Sequence, residues 1–436
     1  MHTRTTTNTT TQGILFLAHE PYFTADIARV SVLRRALLNG TKAGIHKWLI
    51  LTYADPDIVR SHLADETRLQ HIAYDIVHLD TMTSETLRAR LPQGEMIAIS
   101  CTALFDAQTL LAAQDQSSPT LGVKPATSIL QDALHVHLRD GNQAVPAAPS
   151  SQAMHVAVGL LRCDHALLAQ AIEDAWDAMS TATDPLSPVL AELLATAKEI
   201  NAFDVSPYLW LPLSDFSEDE INQVETELLQ RLGRDGDSPI VRLIARRLSR
   251  AVTRMLIHTR IRPNHVTLVS GAIGICGALG LAQPSVDWQV IGSLLFLLST
   301  VIDGCDGELA RLTFQESAFG AKLDVTMDNV VHGVLFPAIA LGLYRGQPHT
   351  VYLILGALAL GGVFLSMWVF LPHVLRPGSP RTRETRLHES LASRDFAYLL
   401  PFLAIFHLLP WFLWATVIGS YAFAGAWLVL RRRQPA

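Results

Sequence analysis

The sequence predicts a soluble N-terminal α/β domain followed by an all-α transmembrane domain of six helices. The chain is 49% hydrophobic and only 17% charged, with a mean hydropathy of +0.26, which is unusually apolar for a soluble protein. Short apolar runs alternate with helical patterns in the first half, and long apolar runs fill the second half from about residue 263 to residue 430. The two halves therefore belong to different fold classes.

The N-terminal half begins with a polar, threonine-rich stretch that we expect to be a disordered tail over residues 1–12. This stretch has no apolar core and no small-residue cleavage site, which argues against a secretory signal and predicts a cytoplasmic domain. Five apolar runs follow, beginning at Gly13, Lys47, Tyr74, Met96 and Met154. Their alternation with helical patterns predicts an α/β domain with a largely parallel sheet over residues 13–235.

A basic amphipathic helix is predicted at residues 238–260, before the first membrane helix. Arginines recur there every three or four residues beside apolar side chains. Such a helix is suited to lie at an anionic membrane surface. The alternative is a solvated helix that packs on its own domain.

Six membrane helices are predicted in residues 261–436, from apolar runs close to the roughly 20 residues that span a bilayer core. Their ranges are 264–283, 287–311, 321–343, 350–373, 395–409 and 410–430. The last two share one apolar stretch that, as a single straight helix, would be about 50 Å long against a core of about 30 Å. Pro410 offers a break, so a tight hairpin is expected.

Arginines set the predicted orientation of these helices. Arg394 precedes the last apolar stretch and three arginines follow it at 431–433, so both flanks are expected to face the cytoplasm. The basic loop 376–394 and the N-terminal domain then lie on the same side, and the connections near Gln283 and Gly346 face outward. We expect a multi-pass protein of the inner cell membrane with a cytoplasmic active site and C-terminus.

The four cysteines are scattered without paired spacing or neighbouring histidines. They are Cys101, Cys163, Cys276 and Cys305. Neither a disulfide framework nor a zinc site is therefore expected.

An acidic signature occupies the run from Asp303 to Asp328, with the pattern D-x2-D-G-x2-A-R-x8-G-x3-D-x3-D. Its fixed positions are Asp303, Asp306, Gly307, Ala310, Arg311, Gly320, Asp324 and Asp328. The first two aspartates are three residues apart and the last two are four apart, so each pair lies on one face of its helix. Two helices thereby present four carboxylates to each other.

Four carboxylates cannot all stay ionised side by side at membrane depth without compensation. All-oxygen ligands suit hard cations, Mg²⁺ or Mn²⁺, and two such ions roughly 4 Å apart could clamp a pyrophosphate. The sequence therefore predicts metal-assisted phosphoryl transfer.

This signature resembles that of the CDP-alcohol phosphatidyltransferase family, integral membrane enzymes that move a substituted phosphoryl group from a cytidine diphosphate ester to an alcohol. The resemblance implies that CMP is the leaving group. It assigns metal binding to Asp303, Asp306, Asp324 and Asp328, and it makes Asp328 also the acceptor of the hydroxyl proton. The nucleotide is expected to contact Asp303, Gly307, Ala310, Arg311 and Gly320.

The run IRPNHVTLVSG at Ile261 resembles the family's entry to its first membrane helix. Thr267 is expected to face the helices that carry the aspartates. A purely structural role for these residues is the alternative.

An acceptor that carries a phosphate needs cations of its own. The candidates are Lys322, Arg376, Arg381 and Arg394. Alternatively, the arginines only mark the cytoplasmic side and the lysine is interfacial. His332, one turn after Asp328, either lines the acceptor pocket or makes a hydrogen bond between helices.

The N-terminal domain is weakly similar to the cytidylyltransferase half of bifunctional inositol-phosphate cytidylyltransferase/di-inositol-phosphate-phosphate synthases. A working nucleotidyltransferase needs a glycine-rich loop after its first strand, whereas this loop reads AHEPYFTAD. The strand MIAIS ends in Ser100 and Cys101 where an active relative would carry a metal-binding aspartate, and Asp106 is displaced from that point. A degenerate, noncatalytic domain is favoured over a functional transferase.

Three functions remain open at this stage. The principal hypothesis is a membrane transferase that uses a CDP-activated donor and a hydroxyl acceptor in phospholipid synthesis, with CDP-diacylglycerol as the commoner family pattern. The second uses a soluble donor such as CDP-inositol with a polyol-phosphate or lipid acceptor, and the third is a membrane scaffold that retains the nucleotide site. No nucleic-acid partner is expected, and a homodimer could form if the glycines at 271, 274, 277 and 280 pack between subunits rather than within one.

Overall fold

The computed structural model describes residues 11–64, 66–126, 134–140, 142–147, 155–196, 199–214, 216–232, 246–374 and 396–433, without the side chains of 366–374 and 426–433. Its internal contacts divide the chain into two compact units, Met1–Glu225 and Thr226–Ala436. Residues 1–10 of the predicted tail lie outside the described residues, and Gln12 already belongs to the first strand.

The first unit is built on a mixed sheet of nine strands among the residues described. The strands of this unit are β1 Gln12–Leu17, β2 Asp26–Ile27, β3 Val30–Ser31, β4 Lys47–Thr52, β5 Ala73–His78, β6 Glu95–Ser100, β7 Ala103–Phe105, β8 Thr120–Pro125, β9 His135–Arg139, β10 Gln143–Pro146, β11 His155–Asp164, β12 Asn201–Asp204 and β13 Trp210–Pro212. The sheet has the order β5-β4-β1-β6-β11-β8-β12-β10-β9, and two-stranded ribbons pair β2 with β3 and β7 with β13.

The parallel character of the sheet is confined to part of it. The strands β5, β4, β1 and β6 run parallel, as does the pair β8 and β12, whereas β11 runs antiparallel to β6, β8 and β9. The five predicted strands are all present, but the prediction of a largely parallel sheet was wrong for its second half. An apolar run predicts a buried strand and does not specify its direction.

Eight helices of the described chain precede the membrane region and its flanking helix. They are α1 Glu20–Thr24, α2 Val32–Lys42, α3 Pro56–Ala64, α4 Ser84–Arg90, α5 Ala107–Gln114, α6 His165–Met179, α7 Leu186–Thr196 and α8 Glu218–Arg231. Short 3₁₀ turns occupy Thr67–Leu69 and Leu79–Thr81. These helices alternate along the chain with the strands of the mixed sheet, and this arrangement confirms the α/β class.

Apolar helices occupy all six predicted positions in the second unit. Together with the helix that precedes them, they are α9 Arg246–Ile257, α10 Pro263–Leu281, α11 Val286–Leu312, α12 Ala318–Gly346, α13 Thr350–Val374, α14 Phe396–Ile405 and α15 Leu409–Arg433. Within the described residues, α10, α11 and α12 are long and apolar enough to cross a membrane. The number of six membrane spans therefore stays a prediction.

The break in the last apolar stretch lies just before Pro410. His407 has a φ of 57°, and the backbone N–H of Leu408 donates to the carbonyl of Leu403 at 2.7 Å, which closes α14. Pro410 is the second residue of α15, where its missing N–H has no intrahelical partner to lose. The predicted break is therefore present as a turn at residues 406–408, and the proline lies in the first turn of the second helix. The hairpin of two membrane spans stays a prediction.

The glycine row of α10 packs inside the chain. A Cβ at Gly277 would lie 2.7 Å from the backbone nitrogen of Phe296 and 2.8 Å from the carbonyl oxygen of Gly292, both on α11. A Cβ at Gly271 would lie 2.2 Å from the terminal carbon of Met327 on α12. Close packing within one subunit is thus the role that the structure shows, and the homodimer stays a prediction without support from this row.

The described part of the predicted amphipathic helix is α9, which packs against α11. Its buried side chains are Ser249, Thr253 and Ile257, whereas Leu248 and Met255 are exposed. The helix therefore packs on its own unit, as the alternative interpretation predicted, and it also exposes apolar side chains. Its location at a membrane surface stays a prediction.

Candidate active site

A tight turn between α11 and α12 brings the signature aspartates to a similar height along the two helices. Both helices pack on α10. Phe314 has a φ of 55° in this turn, and the Ser317 hydroxyl caps α12 by accepting from the N–H of Gly320 at 3.0 Å. Asp303 comes nine residues before the end of α11, and Asp328 comes ten residues after the start of α12. At 1.5 Å per residue both lie about 14 Å from the turn.

Three of the signature carboxylates converge. Asp303, Asp324 and Asp328 each offer one carboxylate oxygen, and these oxygens all lie within 4.8 Å of one another. All three residues are half-buried. Anionic oxygens gathered at this spacing repel one another unless a cation lies between them, and hard divalent ions prefer such oxygens.

The fourth predicted ligand, Asp306, is not a member of this group of three. It is buried, with 8% of its surface exposed, and its carboxylate accepts a hydrogen bond from the hydroxyl of Thr267 on α10. Three residues along a helix correspond to a rotation of about 300°, so Asp306 is displaced by about 60° from Asp303 toward α10. Thr267 faces residues 303–308 of α11, which we call the acidic segment, as expected, and its hydroxyl binds Asp306.

We expect Thr267→Val to lower the free energy of unfolding by about 1–3 kcal/mol, because the buried carboxylate of Asp306 loses its hydroxyl donor. Thr267→Ser keeps a hydroxyl and serves as the control. Chemical unfolding of the purified protein in detergent, followed by tryptophan fluorescence, measures the difference. Equal stability of the valine and serine variants would show that the hydrogen bond contributes nothing.

The two glycines of the signature are closely approached by other side chains. A Cβ at Gly307 would lie 3.2 Å from a terminal nitrogen of Arg311, so the guanidinium folds back over the glycine. A Cβ at Gly320 would lie 3.0 Å from the amide oxygen of Asn264 in the first turn of α10. Ala310 is half-buried one residue before Arg311. The first turns of α10 and α12 therefore meet close to the turn that follows α11, and we call this end of the helices the rim.

A small pocket lies beneath the rim. Its walls are formed by Ser270, Gly271, Phe296, Ser299, Thr300, Asp303, Met327, Asp328, Val331 and His332. The Nδ1 atom of His332 lies 2.8 Å from the carbonyl oxygen of Asp328 on its own helix. His332 thus lines this pocket and bonds within its own helix, and its role toward the acceptor stays a prediction.

Sequence reasoning missed the aromatic cluster beside this pocket. The ring of His332 lies 6.3 Å from that of Phe296 and 5.9 Å from that of Phe396, and Phe296 stacks on Phe396 at 5.9 Å. Ser299 and Thr300 precede Asp303 by one helical turn, so the 3.6-residue period could have placed them on its face. Phe396 lies 93 residues after Asp303 in the chain, so no local sequence pattern connects it to the signature.

The predicted acceptor-binding residues are only partly placed. Lys322 is exposed on α12 and is not among the pocket residues, and its carbonyl accepts from the Thr326 hydroxyl at 2.7 Å. Arg376, Arg381 and Arg394 lie outside the described residues. Their roles stay predictions.

In the first unit, a buried polar network occupies the end of β6, the position at which a metal-binding aspartate was expected in an active transferase. The Ser100 hydroxyl at the end of β6 donates to Asp184 at 2.7 Å, and the Thr102 hydroxyl donates to the same carboxylate at 3.3 Å. Burial raises the pKa of the Asp184 carboxyl, while these hydrogen bonds lower it. Burial also raises the pKa of the Cys101 thiol to about 12, so this cysteine is not a ready thiolate.

Neither the loop after β1 nor Asp106 has the arrangement expected of a working nucleotidyltransferase. The loop after β1 folds into helix α1 and contains no glycine-rich turn. Asp106 caps α5 by accepting from the N–H and the hydroxyl of Thr109 at 2.8 and 2.6 Å. Its carboxylate thus has a structural partner away from the strand end.

Comparisons with known proteins identify the membrane unit. Residues 260–430 match the family profile described as CDP-alcohol phosphatidyltransferase. Phosphatidylinositol phosphate synthase from Streptomyces avermitilis is 31% identical over 191 residues, which cover 42% of this chain and 76% of that protein. The chain belongs to the CDP-alcohol phosphatidyltransferase family. The family predicted from the signature is confirmed, and with it the prediction of a phosphotransferase enzyme.

Two other relatives match this chain over less than half of their length. Bifunctional IPC transferase and DIPP synthase from Rubrobacter xylanophilus is 34% identical over 149 residues, so the chain spans 33% of that protein. Archaetidylinositol phosphate synthase from Methanothermobacter thermautotrophicus is 32% identical over 97 residues, or 45% of its length. The solved inositol-1-phosphate CTP transferase from T. maritima aligns with 49% of this chain and 93% of its own, at 16% identity and a TM-score of 0.38.

Proposed function

We propose that the membrane unit of this CDP-alcohol phosphatidyltransferase transfers a substituted phosphoryl group from a CDP-alcohol to an acceptor hydroxyl and releases CMP. The observation that carries the proposal is the convergence of Asp303, Asp324 and Asp328 within 4.8 Å, inside the residues that match the family. Carboxylates at membrane depth are costly and mark functional sites.

The ligand set of this site fits two Mg²⁺ or Mn²⁺ ions. Three converging carboxylates supply hard anionic oxygens, and Asp306, held by Thr267, supplies the proposed fourth ligand from the adjacent turn of α11. Bound divalent cations would neutralise the diphosphate and polarise the bond to the leaving group.

The protein's own groups then account for binding and proton transfer. The acceptor oxygen forms a bond to phosphorus, the phosphorus–oxygen bond to CMP breaks, and a carboxylate oxygen of Asp328 takes the hydroxyl proton. Arg311 provides a charged hydrogen-bond donor for a phosphate. The nucleotide would lie against Gly307, Ala310 and Gly320, whose small size permits close approach to the helix backbone.

For the substrates we propose CDP-diacylglycerol as donor and a phosphorylated polyol as acceptor. Two of the relatives are named for the synthesis of inositol phosphate lipids. Lys322, Arg376, Arg381 and Arg394 would neutralise the acceptor phosphate. Transfer from a soluble donor such as CDP-inositol is the alternative, and the bifunctional relatives support it.

We further propose a multi-pass location in the inner membrane, with the first unit, the active site and the C-terminus in the cytoplasm. The three helices that are long and apolar enough to cross a membrane support the multi-pass location. The arginines at 431–433 support the cytoplasmic orientation. The connections near Gln283 and Gly346 lie together, because Arg345 donates to the carbonyl of Ala282 at 3.2 Å. Both are therefore at the end of the bundle opposite the signature turn.

The test is a transfer assay on the purified full-length protein in lipid nanodiscs. CDP-diacylglycerol and CDP-inositol are supplied separately with an inositol phosphate, and CMP is measured by chromatography. We expect CMP only when donor, acceptor and Mg²⁺ or Mn²⁺ are all present. Binding of cytidine nucleotides without CMP release would instead support the scaffold hypothesis, and CMP release that survives EDTA would contradict metal dependence.

We propose that the first unit is noncatalytic. The helix that replaces a glycine-rich loop and the Ser100–Asp184 network that fills the strand end both support this. We expect no pyrophosphate release when the protein is given CTP, Mg²⁺ and an inositol phosphate. Pyrophosphate formation that depends on the sugar-alcohol phosphate would establish a functional cytidylyltransferase instead.

A further inference from the structure

A buried carboxylate outside the signature joins α9 to α11. Glu308 is 1% exposed, and its two oxygens accept from Arg246 at 2.8 Å, from the Ser249 hydroxyl at 2.9 Å and from the Thr253 hydroxyl at 2.8 Å. All three donors belong to α9. Burying an ionised carboxylate is costly unless it is paired and hydrogen-bonded, and this one has both kinds of partner.

Glu308 lies on the back of the acidic segment. It follows Asp303 by five residues, so it is rotated by about 140° around the helix axis from the side that carries the converging carboxylates. The same back face approaches α9 at two more positions. The Cys305 thiol donates to the Ser249 carbonyl at 3.4 Å, and a Cβ at Gly304 would lie 3.8 Å from the Ser249 Cβ.

The acidic segment is thus held from two sides. On the side of α10, Thr267 donates to Asp306 and the Ser299 hydroxyl donates to the Ser270 carbonyl at 2.7 Å. On the other side, α9 contacts Cys305 and Glu308, and Ser249 of α9 lies next to Gly304. Asp303 is on this segment, whereas Asp324 and Asp328 are on α12, so a shift of the segment changes the distance between the two halves of the acidic group.

We propose that Glu308 is a positioning residue, which clamps α9 along the back of α11 and so fixes Asp303 at its distance from Asp324 and Asp328. The proposal rests on the phosphotransfer function proposed above. Misplacement of a reacting geometry by about 1 Å can cost on the order of 10²-fold in rate. The clamp would therefore act on turnover and on cation binding without touching substrate.

The first test is Glu308→Gln. The amide keeps the size of the side chain but removes its charge and one acceptor oxygen, so the clamp to Arg246 and Thr253 weakens. We expect kcat to fall at least tenfold and the Mn²⁺ concentration for half-maximal binding to rise, with an unchanged elution profile. Arg247→Gln removes a neighbouring exposed arginine of the same helix and should leave both quantities unchanged.

A disulfide separates positioning from an electrostatic effect. The Cβ separation of 3.8 Å between positions 249 and 304 suits a disulfide, so Ser249→Cys with Gly304→Cys is added to Glu308→Gln in a Cys305→Ser background. Oxidation with copper phenanthroline should restore most of the lost turnover and Mn²⁺ affinity, and reduction should abolish them again. An oxidised protein that stays as impaired as the reduced one would overturn the proposal, as would a Glu308→Gln variant with wild-type kcat and affinity.

The two proposals fail in different ways. Absence of CMP release by the wild-type protein contradicts the proposed function, and in that case the Mn²⁺ affinities of the wild-type, Glu308→Gln and disulfide variants still test the clamp.

Discussion

Asp328→Asn should reduce CMP release by about 10³-fold or more, while the protein stays folded and continues to bind cytidine nucleotides. The amide cannot take the proton of the attacking hydroxyl, and general-base catalysis contributes about 10²–10⁴-fold. The change also removes one of three anionic oxygens that lie within 4.8 Å of one another, which weakens cation binding. Both losses act on turnover, and the signature geometry around α12 needs no rearrangement to accommodate an isosteric amide.

The measurement is a single-turnover assay of CMP release in nanodiscs with Mg²⁺ or Mn²⁺. Asp287→Asn is the matched control, because Asp287 is an exposed aspartate in the first turn of the same α11 that carries Asp303. We expect the control to keep wild-type activity and both variants to share the elution profile of the wild type. Unaltered turnover of Asp328→Asn would rule out Asp328 as the base.

Gly277→Leu should prevent the membrane unit from packing. The Cβ alone would lie 2.7 Å from the nitrogen of Phe296 and 2.8 Å from the oxygen of Gly292. These are backbone atoms of a helix, so they cannot rotate aside as a side chain could, and α10 must separate from α11. Overpacking of a well-packed core costs about 1–3 kcal/mol and occasionally more, and a clash with backbone on this scale belongs at the upper end.

Because α12 packs on α10, the separation of α10 from α11 should also displace α12. Activity should then disappear together with the fold. Gly419→Leu is the matched control, because a Cβ at this exposed helical glycine of α15 meets no atom within 4 Å. Size-exclusion profiles and thermal unfolding in detergent distinguish the two variants. A monodisperse Gly277→Leu protein with wild-type unfolding temperature would show that the close approach of α10 to α11 is not required.

The sequence was sufficient for those features that depend on local periodicity or on a short signature. Apolar runs of suitable length located the helices from α10 onward, because a helix that faces lipid must be apolar along its length. The spacing of Asp324 and Asp328 predicted that they share one face of α12, and the structure places their carboxylates together with that of Asp303. Thr267 was correctly expected to face the acidic segment.

Features that depend on contacts between distant segments could not be predicted in the same way. The direction of β11 within the sheet, the meeting of Ser100 with Asp184 and the stacking of Phe396 beside the pocket all join residues that are far apart in the chain. The hydrogen bond of Asp306 to Thr267 on α10 likewise joins residues that are far apart in the chain, and the spacing of the aspartates alone does not reveal it. The position of the last turn was misplaced because proline is as acceptable in the first turn of a helix as it is in a break.

The central claim is that Asp303, Asp324 and Asp328 gather divalent cations between α11 and α12. Its most direct test is the electron paramagnetic resonance signal of free Mn²⁺, titrated against the purified protein in nanodiscs of neutral lipid. We predict that the wild type and Asp287→Asn bind Mn²⁺ alike, and that Asp303→Asn combined with Asp324→Asn weakens binding at least tenfold. Equal Mn²⁺ binding by the wild type and the double variant would contradict the claim.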